Sequence, residues 1–219
     1  MALTPTLMEE LRLWQAGCRV VAGLDEAGRG AWAGPIVAAA VVLSPQESAP
    51  PALSRVRDSK MLLPKAREGL YEAIRATALR VGVGVMPQDL IDEIGINGAN
   101  RLAMLAAVDD LGLPVDHLLI DFLRLPAHPT PQTPLVGGDS LCFSIAAASI
   151  VAKVTRDRLL CELDARYPGY SFAQHKGYGT RLHRQALQDL GVSPVHRLSF
   201  SPMCEMVGWP QERGRRVRT

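Results

Sequence analysis

Apolar residues fall into two kinds of run along this chain: short continuous stretches that read as buried strands, and longer ones repeating every three to four positions that read as helices. The first continuous stretch, Val20, Val21, Ala22 and Leu24, runs into Asp25 and Glu26 and ends at Gly28 and Gly30, whose backbones can reach φ > 0. Residues 36–43, rich in valine and alanine and closed by Ser44-Pro45, predict a second strand. The alternation in 80–86 and the run 117–121, which ends on Asp121, predict two more. Helical spacing predicts a short helix from Thr4-Pro5 to Gly17, a second over 63–79, a third over 97–111 and a long apolar one over 144–164. A last helix, capped by Thr180, runs to Leu190 before Gly191, with one more turn around Met203. Four prolines between Pro126 and Pro134 predict an irregular surface excursion. No internal repeat is present.

Strands that first follow one another and then alternate with helices predict an α/β fold, a mixed β-sheet flanked by helices. The length of 219 residues suits one large domain, placed at 1–190, with a helical C-terminal extension over 191–219. Arg213, Arg215, Arg216 and Arg218 make the end of that extension a basic, flexible tail.

Composition narrows the class. With 47% apolar and 21% charged residues, the chain is an ordinary globular protein rather than a disordered or membrane one. No apolar run approaches the roughly 20 residues that span a bilayer, and the N-terminus has no secretory pattern, so a cytoplasmic location and no membrane partner are expected. Cys18, Cys142, Cys161 and Cys204 form no Cys-x-x-Cys pair and read as buried free thiols. A net charge of +2 argues against coating nucleic acid by bulk electrostatics but allows a local basic groove.

The chemistry lies at the ends of the apolar runs. Asp25 with Glu26, Asp121, and Asp139 after Gly137-Gly138 each follow or end such a run, whereas Glu9, Asp109, Asp110 and Glu162 fall on solvated helix faces. Two adjacent acids in an apolar setting are costly unless a cation or hydrogen bonds compensate them; the plain alternative is a strand end with two solvated acids. Consecutive strand residues point to opposite faces, so Asp25 and Glu26 share one site only if the strand ends or twists at Ala27-Gly28. An all-oxygen donor set suits Mg²⁺ or Mn²⁺, and four carboxylates suffice for two ions. Two such ions roughly 4 Å apart activate a water and stabilise the leaving oxygen of a phosphodiester, which is nuclease chemistry.

Other chemistries fit less well. Gly28 to Ala33 matches the G-x-G-x-x-G/A turn of dinucleotide-binding proteins, but that motif opens a helix and here a strand follows Gly34-Pro35. There is no Gly-x-Ser-x-Gly turn, and the five histidines show no spacing that pairs them with a serine or cysteine, so they read as structural or exposed. Trp32 reads as a core residue, and Lys153 with Asp157, one helical turn apart, as an intrahelical pair.

Taken together, DEAGRG at 25–30, DSK at 58–60, Asp121 after a strand, Gly138-Asp139, AASIVAKVTRD at 147–157, HKGYGT at 175–180 and HRLSF at 196–200 resemble the type 2 ribonucleases H, the ribonuclease HII family, over nearly the whole chain. Two positions depart from the family: Phe122 follows Asp121 where glycine is usual, and Gly137 precedes Gly138 where lysine is usual. The resemblance implies a ribonuclease H-like fold and a metal-dependent endonuclease using Mn²⁺ or Mg²⁺, with two ions. It implies cleavage of RNA in RNA–DNA hybrids and cutting on the 5′ side of ribonucleotides embedded in duplex DNA, leaving 3′-OH and 5′-phosphate ends, by a monomer serving ribonucleotide excision repair. Asp25, Glu26, Asp121 and Asp139 are then catalytic metal ligands. Gly28, Arg29, Gly30, Lys60 and Tyr178 are then substrate contacts, Lys60 at a phosphate and Tyr178 at the ribonucleotide. A silent duplex-binding module of the same fold and a dinucleotide-dependent enzyme are the competing readings.

Overall fold

The computed structural model describes residues 4–56, 59 and 62–210. Its centre is a five-stranded sheet formed by β1 (Val21–Ala27), β2 (Ile36–Val42), β3 (Arg80–Met86), β4 (His117–Asp121) and β5 (Gln132–Leu135), in the order β3-β2-β1-β4-β5. β1 pairs antiparallel with β2, and β2 with β3, while β4 runs parallel to β1 and β5 parallel to β4. The C-terminal ends of β1, β4 and β5 therefore lie at one edge of the sheet.

The continuous apolar run of β2 is explained by burial on both faces. Ala38, Ala40 and Val42 pack with α3 (Gln88–Asp109), whereas Ala39 and Val41 pack with α5 (Phe143–Arg166) and α2 (Pro64–Thr77). The result is three layers, with α3 on one face and α5 backed by α2 on the other. Small residues let α5 sit low on the sheet: a Cβ on Gly23 would lie 2.3 Å from the Ser144 carbonyl carbon. The remaining helices are α1 (Met8–Gln15), α4 (Gly138–Leu141), α6 (Phe172–His175), α7 (Arg181–Leu190) and α8 (Met203–Met206).

Several sequence expectations are corrected. The proline-rich stretch is not irregular to its end, because residues 132–135 form β5. Pro134 pairs with Ile120 at the outermost strand of the sheet, the place where a missing N–H is tolerated. α1 begins at Met8 rather than Thr4, since the Thr6 backbone exchanges hydrogen bonds with Leu141 and Phe143 and is held extended. α3 starts nine residues before the helix expected at 97, its first part divided from the rest by Gly95, which has φ 77° and ψ 160°. Cys161 is exposed and Cys18 and Cys204 half-buried, so only Cys142 is a buried thiol.

Candidate active site

The acids assemble because three parallel strands end together. Asp25 and Asp121 follow Leu24 and Ile120, the last paired positions of β1 and β4, and Asp121 lies opposite Leu135 of β5. Leu135 leads through Val136 and Gly137 into α4, where the Gly138 N–H donates to Asp121 Oδ1 at 2.7 Å and sets Asp139 beside that strand end. Asp25 and Asp139 are buried, 5% and 7% exposed, while Glu26 and Asp121 are half-buried.

β1 does not twist out of the ladder at Asp25, since pairing with β2 continues to Ala27. Asp25 and Glu26 therefore leave β1 on opposite sides, yet the Glu26 charge still acts on Asp25, so an ion shared by both would sit off the end of the strand rather than over one of its faces. Asp25 faces α5, where the Ser149 hydroxyl bonds its carboxylate, and Ser149 in turn lies 2.9 Å from the Ser59 hydroxyl. Glu26 falls on the α3 side, with Arg29 Nη1 3.9 Å away and the same guanidinium donating to Asn97 Oδ1 of α3 at 2.7 Å. Burial, followed by the negative charges of Glu26 and Asp121, pushes the Asp25 carboxyl well above the ordinary carboxylate range, although Ser149 and the Glu26 N–H, 2.7 Å from Oδ1, pull against it.

Among the described residues, no three acids, histidines or cysteines converge closely enough to form a ready-made ion cage. The donor chemistry nonetheless fits a hard divalent cation. The set is all oxygen, and its most buried member carries a penalty that a cation would relieve. Mg²⁺ in particular is commonly held by one or two carboxylates plus substrate phosphate oxygens rather than by an all-protein cage.

The glycine turn after β1 is braced from behind by two buried arginines. Arg156 of α5 donates to the carbonyls of Pro35, Ala33 and Lys176 at 2.9, 3.0 and 2.8 Å, and Arg197 donates to those of Gly34 and Arg29 at 3.1 and 3.0 Å. Gly28 cannot be replaced without cost: its φ is +95°, and a Cβ there would lie 1.9 Å from Arg156 Nε. Gly30 differs, with no positive φ and nothing within 4 Å of its would-be Cβ. Tyr178 stands beside this brace, 36% exposed, with Arg156 Cζ 5.4 Å and Lys153 Nζ 5.8 Å from its ring centre. Asp25, Glu26, Asp121 and Asp139 thus share one sheet edge, and Arg156 joins Gly28 to Tyr178; Lys60 lies outside the described residues.

Ser149, Ser59, Arg156 and Arg197 were not singled out by sequence reasoning. Three of them fall inside the motif blocks at 147–157 and 196–200, and Ser59 sits in DSK, but most of their bonds run between residues 90 to 168 positions apart. The expectation that no histidine meets a serine is also corrected. Ser193 Oγ lies 2.7 Å from His196 Nδ1, and His196 Nε2 lies 2.9 Å from His183 Nε2. This network is walled in by Tyr170 and Phe172, so its role is structural. Trp32 is half-buried, 5.4 Å from His183 between ring centres, and Lys153 and Asp157 form the expected intrahelical pair.

Comparison with known proteins gives the same picture. The family pattern of ribonuclease HII matches residues 22–203. The ribonuclease HII of Dehalococcoides mccartyi is 52% identical over 205 residues, covering 94% of this chain and 97% of its own. That of Chloroflexus aurantiacus is 53% identical over 204 residues, covering 93% and 96%. Among solved structures, ribonuclease H2 from Pyrococcus horikoshii superposes with a TM-score of 0.71 at 24% identity, over 90% of this chain and all of that one. An RNase HIII solved in complex with Mn²⁺ superposes with a TM-score of 0.64 at 20% identity, over 90% and 72%. The mixed sheet and its flanking helices are thus a ribonuclease H-like fold, and with acids at the strand ends they define a ribonuclease H, an endonuclease of a class that generally uses divalent metals and acts on RNA–DNA hybrids. The chain belongs to the ribonuclease HII family. No helix among the described residues is long and apolar enough to cross a membrane, and the strand that follows Gly34-Pro35 removes the dinucleotide-binding reading.

Proposed function

We propose that this enzyme, acting as a cytoplasmic monomer in ribonucleotide excision repair, hydrolyses RNA in RNA–DNA hybrids and cuts on the 5′ side of single ribonucleotides embedded in duplex DNA. The observation that carries the reading is the gathering of Asp25, Glu26, Asp121 and Asp139 at the common end of three parallel strands, with the braced glycine turn following β1. Water adds to phosphorus while the bond from phosphorus to the 3′ oxygen breaks, leaving a 3′-OH on one side and a 5′-phosphate on the other. The four carboxylates would hold Mn²⁺ or Mg²⁺, two ions in the full complex, which supply Lewis-acid charge at the phosphate and lower the pKa of the attacking water. Asp25 serves as a ligand in its ionised form, which burial and the neighbouring acids disfavour and the Ser149 hydroxyl favours. The RNase HIII neighbour solved with Mn²⁺ supports a divalent ion here.

Arg156 and Arg197 keep the backbone of Gly28, Arg29 and Gly30 in a fixed conformation, so its N–H groups are positioned for phosphate or sugar oxygens. Lys60 adds a point charge for a phosphate, and Tyr178 offers a ring face and a hydroxyl to the nucleotide bearing the 2′-OH, the local chemical mark of RNA within DNA. The test is cleavage, with Mn²⁺ and with Mg²⁺, of a duplex carrying one ribonucleotide, beside an all-DNA control. A single incision 5′ to the ribonucleotide is expected; cutting of the control, or cutting 3′ to the ribonucleotide, overturns the reading.

A further inference from the structure

Phe122 has φ 63°, in the left-handed region, which is rare for a bulky residue, and its side chain is 63% exposed. Neither feature aids folding. A left-handed backbone costs a residue with a Cβ what glycine would not pay, and an exposed phenyl ring forgoes burial. Strain of this kind persists where surroundings hold it and gathers at functional sites. Here the surroundings are the acid edge: Phe122 follows Asp121 directly, and its N–H donates to the Leu135 carbonyl at 2.9 Å, which fixes it beside the end of β5. Val136, the next residue after Leu135, is itself 77% exposed, so two bare apolar side chains stand between Asp121 and Asp139 along the path of the backbone.

Anything bound with its phosphate at these carboxylates must pass this lip. A nucleic-acid duplex presents apolar surface there only as sugar rings and base edges, and the wide, shallow minor groove of an A-like duplex exposes both. We propose that Phe122, with Val136 beside it, is a substrate contact of this chain, its ring lying against the sugar and base edge of a nucleotide next to the scissile phosphate. The inference rests on the proposed function, because the carboxylates locate the phosphate. Phe122 acts by binding and touches no reacting atom, so its loss acts on KM more than on kcat.

Two substitutions separate contact from architecture. Phe122→Gly removes the ring and accepts the left-handed backbone freely; Phe122→Leu keeps an apolar side chain and the strain. On a duplex with one embedded ribonucleotide, Phe122→Gly should raise KM roughly tenfold with kcat within about twofold of wild type, the size of a modest ring contact on nucleic acid. Its thermal midpoint should equal or exceed that of wild type, and Phe122→Leu should fall between the two in KM. A dissociation constant measured by anisotropy in EDTA should weaken in parallel, a readout independent of metal and turnover. Unchanged KM and binding in Phe122→Gly overturn the proposal, as does a lowered midpoint accompanying the loss, which would make the ring structural. Wild-type protein that cuts the duplex while Phe122→Gly matches it refutes the contact alone; wild-type protein that cuts nothing refutes the proposed function.

Discussion

The acid edge of the sheet and the arginine–histidine knot behind the glycine turn both bury ionisable groups, carboxylates at the edge and guanidinium and imidazole groups in the knot, and in both burial works against the charged form. In the knot most donors meet an acceptor: Arg156 reaches three carbonyls, Arg197 two while its Nη2 meets none, and His196 is bonded on both ring nitrogens. At the edge, like charges are pressed together, and Asp25 is driven toward its protonated form by burial and by Glu26 and Asp121. The knot spends its hydrogen bonds on holding shape, whereas under the proposed function the edge offers its charge to a cation.

The largest test of that contrast removes one charge from the edge. Asp25→Asn or Asp121→Asn should lower cleavage of an RNA–DNA hybrid by about 10³-fold or more, equivalent to ~4 kcal/mol of barrier. Without metal, thermal midpoints should stay the same or rise, because repulsion among the acids is relieved. A large loss of metal-free stability would make these acids structural and erase the contrast.

In the knot the same kind of change should act on stability. Arg156→Met leaves the carbonyls of Ala33, Pro35 and Lys176 without their donor, and breaking such a buried network costs about 3–5 kcal/mol. A fall in thermal midpoint on the order of 10 °C is expected for a chain of this size. Activity measured well below that midpoint should drop less than in the Asp variants; a midpoint unchanged from wild type would show that the brace is dispensable.

How much of this was legible differs between the two regions for physical reasons. The acids were readable because each follows or ends a short apolar run, a local signal, and β3 and β4 were readable from the equally local alternation in 80–86 and apolar run 117–121. β5 was hidden by its prolines, since only its place at the sheet edge makes Pro134 acceptable, and an edge is a property of the whole sheet. The arginines of the knot were hidden because most of their bonds are long-range: nothing near Arg197 announces that it will hold the carbonyl of Arg29. Glu10 is another such case, a charged side chain of α1 that is fully buried, where it accepts from the Ser144 N–H near the start of α5. Lys153 with Asp157 could be read because both lie on one helix.

Acid should separate the regions next. Burial lowers His183 and His196 to about 4, below the ordinary value near 6.5 of an unfolded chain. Between those values the unfolded state binds more protons, so the knot's contribution is whole above about pH 6.5 and is lost as pH falls toward 4. Asp25 has the opposite sign. Its carboxyl is raised, so the native state takes up the proton first and is relieved on acidification. Metal-free Asp25→Asn should therefore melt above wild type at pH 7.5, with the gap closing as pH drops through the raised value. Unfolding scans from pH 7.5 to 4.5 measure both slopes; a gap that widens with acid would reverse the assignment at Asp25.

The smallest expected effect lies at the seam between the regions. Tyr178 belongs to the knot by its backbone, whose carbonyl bonds His183 Nδ1 at 3.0 Å, and to the site by its half-open ring beside Lys153 and Arg156. Two cations near one aromatic face favour a ring over any aliphatic replacement, so Phe should preserve its placement and Ala should not. On a duplex with one embedded ribonucleotide, Tyr178→Phe should lose roughly tenfold in kcat/KM, the worth of one modest hydrogen bond to a sugar. Tyr178→Ala should lose more, since ring contact goes with it. Both variants should melt within about 1 kcal/mol of wild type, because a side chain this exposed contributes little to the core. Equal losses in Phe and Ala would assign the whole contribution to the hydroxyl, and wild-type rates in both would return Tyr178 to the knot as a structural residue alone.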